Sequence, residues 1–131
     1  LGRKEKIMPL YNLKTQQVAP SAARTATTTF GPFTNPGGNG ILVDIDITAV
    51  TSTPSTTFAI QVKDPVSSVW TAVLTSAAQA AAAHLRLKVH PAITVVANLA
   101  ASDLLSKQFR VVATHGNANS MTYSIAATLL P

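Results

Sequence analysis

An all-β fold, a single antiparallel β-sandwich preceded by an extended N-terminal arm, is what this sequence predicts. Three observations lead there. From Arg24 onwards apolar and polar residues alternate with period two, the spacing of strands that bury one face. Turn-forming clusters such as Thr34–Gly40 and Gly116–Asn119 interrupt that alternation at short intervals. No stretch sustains a helical period for the roughly 12 residues that a helix needs to be stable alone. A chain of 131 residues suits one domain and hardly two. The expected division is an arm over 1–23 and a sandwich over 24–131.

The elements follow in order. In the arm, Pro9 and Pro20 interrupt any helix, while Leu10, Tyr11 and Leu13 are apolar enough to dock on a surface. Arg24–Phe30 is rich in β-branched Thr and reads as a first strand ending at Gly31-Pro32. Ile41–Val50 is the strongest element, with Ile41, Val43, Ile45, Ile47 and Ala49 on one face and Leu42, Asp44, Asp46, Thr48 and Val50 on the other. Phe58, Ile60 and Val62 alternate with Ala59, Gln61 and Lys63. Asp64–Ser68 makes a hairpin connection, and Val69–Leu74 returns with Trp70, Ala72 and Leu74 expected inside. Ala77–Ala83 suggests a connection with one helical turn. His84–His90 alternates Leu85, Leu87 and Val89 inward with His84, Arg86, Lys88 and His90 outward. Pro91 stops that strand. The stretch Ala92–Ser106 suggests a short strand at Ile93–Val96 and a turn of helix near Leu105 capped by Ser102. Lys107–His115 and Met121–Leu129 complete the set, the last with Met121, Tyr123, Ile125, Ala127 and Leu129 on one face. Seven or eight short strands leave two architectures open, jelly-roll-like or immunoglobulin-like.

Composition narrows function. The chain has no Cys, which excludes a disulfide framework, a thiolate metal site and a thiol nucleophile. No apolar run approaches the ~20 residues of a spanning helix, so no membrane partner is expected. The basic start is not followed by the apolar stretch of a secretory signal. Net charge is +5, and it is unevenly placed. The first 24 residues hold Arg3, Lys4, Lys6, Lys14 and Arg24 against Glu5, whereas the body is nearly balanced. Such an arm suits docking on an acidic protein surface, with a merely solvated tail as the alternative, better than it suits nucleic acid, because a nucleic-acid module carries a basic face with aromatics on its body. The expected partner-binding residues are therefore Arg3, Lys4, Lys6, Leu10, Tyr11 and Leu13.

The residues that could carry chemistry read as structural. His84 and His90 lie six residues apart on one strand face, roughly 20 Å, too far to share an ion. His115 falls at a hairpin end. Asp44 and Asp46 sit roughly 7 Å apart on one strand face, a carboxylate pair that also occurs in glycosidases. A flat sheet supplies no cleft to split their pKa values, and cross-strand pairing with Lys63, Arg86 or Arg110 is the expectation. Gly37-Gly38-Asn39-Gly40 lacks the spacing of a phosphate loop and precedes a strand, so it is a plain turn. No Ser lies in a nucleophile elbow. An enzyme is not expected, nor any metal or cofactor.

Several runs resemble a group of small phage virion proteins, of the capsid decoration or cement type. They are Thr27–Phe30, Gly40–Val50, Ile60–Ser67, Val89–Pro91, Ala101–Leu105, Phe109–Val111 and, above all, Thr114–Ala127. The likeness spans about residues 24–130 and includes no catalytic motif. The group often carries Gly where this chain has Ser68 and Pro where it has Ser106. The resemblance implies a homo-oligomeric virion protein, dimer or trimer, whose partner is the major capsid protein. It would be made in the host cytoplasm and end on the outer capsid surface. The rival reading is a carbohydrate- or host-binding module, or another head, neck or tail component. Trp70 is the one large aromatic a sugar platform could use.

Overall fold

A computed structural model describes residues 15–131. Among these residues there is no helix, and hence none long and apolar enough to cross a membrane. They form nine strands: β1 (Thr15–Arg24), β2 (Thr28–Thr34), β3 (Gly40–Val50), β4 (Thr56–Lys63), β5 (Trp70–Thr75), β6 (Ala83–Val89), β7 (Ala100–Ala101), β8 (Gln108–His115) and β9 (Met121–Leu130).

The strands make two sheets, ordered β1-β9-β3-β6-β7 and β2-β8-β4-β5. Their pairing decides between the two architectures. Leaving aside the two-residue β7, eight strands pair outermost to innermost: β1 with β9, β2 with β8, β3 with β6, and β4 with β5, all antiparallel. The chain is thus one long hairpin of strands, rolled up so that successive pairs alternate between the sheets. That nested order is a jelly roll, and it differs from the immunoglobulin order, in which the first strand joins the second and fifth in one sheet.

Alternation builds the core. Ile41, Val43, Ile45 and Ile47 of β3 are buried and meet buried Tyr123, Ile125, Ala127 and Leu129 on β9. Leu87 and Val89 of β6 extend that layer. The facing layer is Phe58 and Ile60 of β4 with Phe109, Val111 and Ala113 of β8. Phe58 and Tyr123 lock the layers edge to face, with ring centroids 5.1 Å apart.

The structure corrects several expectations, mostly where a bulge shifts the alternation. The domain begins earlier than residue 24, because Thr15–Arg24 is the edge strand β1 and its Ala19 is buried in the core. Arg24 ends that strand; the next begins at Thr28 and continues through Gly31-Pro32 to Thr34. Pro32 is tolerated because β2 is an edge, and the register slips there, between Phe30 and Phe33. Gly31 has φ +121°, a conformation side chains rarely adopt. Thr48 is an extra residue opposite β9, so Ala49 turns outward and Val50 packs on the core. Val73 is likewise extra opposite β4, which sends Trp70 and Ala72 outward while Leu74 stays buried.

Two connections differ as well. The Ala77–Ala83 segment takes no helical turn, because the Gln79 N–H and carbonyl both bond Thr56, at 2.8 and 3.1 Å. The strand expected at Ile93–Val96 forms instead at Ala100–Ala101, parallel to β6. Ser102 caps no helix; its hydroxyl donates to the Pro91 carbonyl at 3.1 Å.

Candidate interaction surface

The expected arm residues Arg3, Lys4, Lys6, Leu10, Tyr11 and Leu13 lie outside the described residues. What the structure places is the body behind them, beginning with β1.

The outer face of the β1-β9-β3-β6-β7 sheet gathers one expected pair. Asp44 lies opposite Arg86, and its Oδ1 accepts the Arg86 Nε–H at 2.9 Å, with the His84 Nε2 at 3.3 Å. Of the three cations proposed for Asp44, Arg86 is therefore the partner, while Lys63 and Arg110 belong to the other sheet. The remaining histidines point elsewhere. His90 is held by the Pro131 carbonyl and the Ala92 N–H, both at 3.0 Å. The loop before β3 is a turn: Asn35 Oδ1 accepts the N–H of Gly38 at 2.8 Å, and its Nδ2 donates to the Gly38 carbonyl at 2.7 Å.

At one end of the sandwich, Arg24, Tyr123 and His115 form a stack. The Arg24 guanidinium lies 4.6 Å from the Tyr123 ring centroid and donates to the Tyr123 carbonyl at 2.7 Å. His115 Nε2 stands 3.1 Å from the Tyr123 hydroxyl. His115 Nδ1 is buried without a hydrogen-bond partner among the described residues, as is the hydroxyl of its cross-strand partner Thr56. Burial, and secondarily the Arg24 charge, holds the His115 pKa below its ordinary value. Burial also raises that of Tyr123. Both shifts favour the neutral form.

The outer face of the β2-β8-β4-β5 sheet carries a cluster that the sequence reading missed. Lys63 pairs with Trp70 and Gln61 with Arg110, so all four side chains share the solvent side. The Arg110 guanidinium lies over the indole, 4.3 Å from its centroid, and its Nε–H donates to Gln61 Oε1 at 2.7 Å. The Lys63 ammonium is 6.0 Å from the same ring. Beside them a cleft of about 310 Å³ is lined by Lys63, Pro65, Ser106, Lys107 and Gln108. The nearby Asp64 carboxylate is turned to its own hairpin. It accepts the backbone N–H groups of Val66 and Ser67 at 2.8 and 3.1 Å, and these hold its pKa low. The body therefore does carry one basic, aromatic patch, contrary to expectation.

Exposed aliphatic side chains mark a second feature. Val95, Val96, Leu99 and Leu104 are 43–63% exposed along the connection between β6 and β8. Val66 and Val69 are exposed in the β4–β5 hairpin.

No family model matches the chain, and no curated protein does. One similar solved structure is described as "Structure of infectious bursal disease virus Gx strain", at 15% sequence identity and a TM-score of 0.42. The match covers 88% of this chain and 31% of that one. The jelly-roll assignment rests on the strand pairing of this chain itself.

Proposed function

We propose that the chain is a structural virion protein of the capsid decoration or cement type. It would self-associate on the outside of a phage head and clamp neighbouring major capsid subunits. The observation that carries this reading is the set of exposed aliphatic side chains Val95, Val96, Leu99 and Leu104 on the connection between β6 and β8, which a two-sheet body presents. Large exposed aliphatic side chains gathered in one connection are a feature that protein interfaces cover. Two further features support it: the sequence resemblance to phage virion proteins, and the jelly roll, an architecture used by viral capsid proteins among others. Repetition over a symmetric shell turns weak contacts into large avidity.

The rival is a carbohydrate- or host-binding module, and the outward position of Trp70 speaks for it. Arg110 covers one face of that indole, however, and Lys63 lies beside the ring. A sugar platform needs a free aromatic face.

Quantitative mass spectrometry of intact particles tests the reading. A copy number matching the shell subunits supports a cement protein, whereas a few copies per particle would place the chain in the neck or tail. Native mass spectrometry of the purified chain distinguishes dimer from trimer.

A further inference from the structure

We propose that Arg110, braced by Trp70 and Gln61 beside the Lys63/Lys107 cleft, binds carboxylates of an acidic protein segment. That the segment belongs to the shell subunit rests on the proposed function; the site itself rests on geometry.

Stacking on Trp70 and the 2.7 Å bond from Nε to Gln61 fix the plane of the Arg110 guanidinium. Both Nη groups are left without a hydrogen bond among the described residues. A planar fork held in place with its outer edge free is the geometry that receives a carboxylate bidentately. Cation–π contact supplies the bracing without consuming those donors.

Charge complementarity identifies the occupant. Lys63 and Lys107 line the adjoining cleft, and neither makes an ion pair among the described residues. Asp64, next to Lys63 in sequence, is satisfied by its own turn, and Asp103, the acidic residue nearest Lys107 in sequence, accepts the Leu104 N–H at 2.8 Å; neither makes an ion pair among the described residues. Three cations thus converge at one end of a sheet with no internal counter-charge, and Gln108 adds an amide to the wall. This number suits two or three carboxylates spaced along an extended peptide. It is too few for the tract of phosphate contacts that holds nucleic acid. Arg110 already stacks on one face of the indole and the Lys63 ammonium stands 6.0 Å from its centroid, which makes the ring a brace for cations more than a platform for a base or sugar.

The test uses the full-length, isotope-labelled chain, free of any particle, so its outcome is independent of the copy-number experiment. Hexaglutamate is titrated at low salt and followed by amide chemical shifts, with a hexamer of galacturonic acid and a six-nucleotide oligothymidine in parallel. Hexaglutamate is expected to shift Lys63, Trp70, Lys107, Gln108 and Arg110 together. Arg110→Lys, which keeps the charge but loses the fork, is expected to bind about tenfold more weakly. Trp70→Leu is expected to weaken binding similarly, because the fork loses its support. Lys63→Gln serves the same purpose should Trp70→Leu not fold. Lys88→Gln on the other sheet removes the same charge and is expected to leave binding unchanged. Arm shifts from residues 1–14 are read separately, and undiminished shifts of the cluster in Arg110→Lys, shifts scattered over the sheets, no shift of the cluster, or tighter binding of the uronate or the oligonucleotide there would each overturn the proposal.

Discussion

The imidazole Nε2 of His115 lies 3.1 Å from the hydroxyl of Tyr123, the largest fully buried side chain of the core. A titratable ring is thereby packed onto the hydrophobic centre, with its Nδ1 buried and Arg24 stacked on the far partner.

This arrangement predicts acid sensitivity. The folded pKa of His115 lies below its ordinary 6.5, so on acidification the unfolded chain takes up the proton first. Stability contributed by the neutral ring is full above the unfolded value and is lost as pH falls through the window below it. Thermal melts from pH 7.5 to 5 are expected to show a falling midpoint that is shallower in His115→Gln. Parallel curves for the two proteins would refute the assignment.

Register is tested by a pair of substitutions on one strand. Ile45 is fully buried between Ile125 and Leu85, so Ile45→Asp is expected to unfold the domain. An unpaired buried carboxylate costs several kcal/mol against a total stability of about 5–15. Ala49→Asp, four residues further along, is expected to change stability by less than about 0.5 kcal/mol, because the bulge at Thr48 has turned Ala49 to solvent. Circular dichroism and urea melts separate the two outcomes.

The same bulges mark how far alternation alone could be followed. The inward sets of β8 and β9, and that of β3 from Ile41 to Ile47, are legible because alternation there runs without a bulge. Ala49 and Trp70 were misplaced by single extra residues, Thr48 and Val73, which leave no compositional trace. Trp70 had a second signal in the hairpin itself. The Asp64 N–H bonds the Val69 carbonyl at 2.9 Å, which sets Lys63 opposite Trp70 and therefore puts both on the wet side. Closing the hairpin first, and alternating afterwards, finds the Arg110 cluster. The Ala77–Ala83 helix failed for another reason: propensity was outweighed by the backbone pairing of Gln79 with Thr56.

Ser68 holds φ +65° in the hairpin that ends at Trp70. Left-handed backbone costs an L-residue roughly 1–2 kcal/mol, which Gly does not incur. Ser68→Gly is therefore expected to raise stability in urea melts by about 1 kcal/mol, less whatever Gly adds to the freedom of the unfolded chain. A loss of stability would contradict the turn geometry.

The arm is predicted to act at the particle. Deleting residues 1–14 stops short of β1 and is expected to leave the thermal midpoint unchanged while weakening attachment to capsids. Replacing Arg3, Lys4 and Lys6 is expected to weaken attachment less, and mainly at low salt. Exposed ion pairs contribute about 0–1 kcal/mol each, against roughly 1.5–3 for a fully buried side chain such as those of Leu10, Tyr11 and Leu13. Co-sedimentation with capsids measures both, and unchanged attachment of the truncated chain would remove the arm from the account.

The most direct measurement of the central claim is a cryo-EM reconstruction of the virion that carries this chain. Jelly-roll density is expected on the outer shell at every equivalent lattice position, with Val95, Val96, Leu99 and Leu104 covered by a neighbouring subunit. Density confined to the neck, tail or fibres, or an outer-shell position with those four side chains facing solvent, would contradict it.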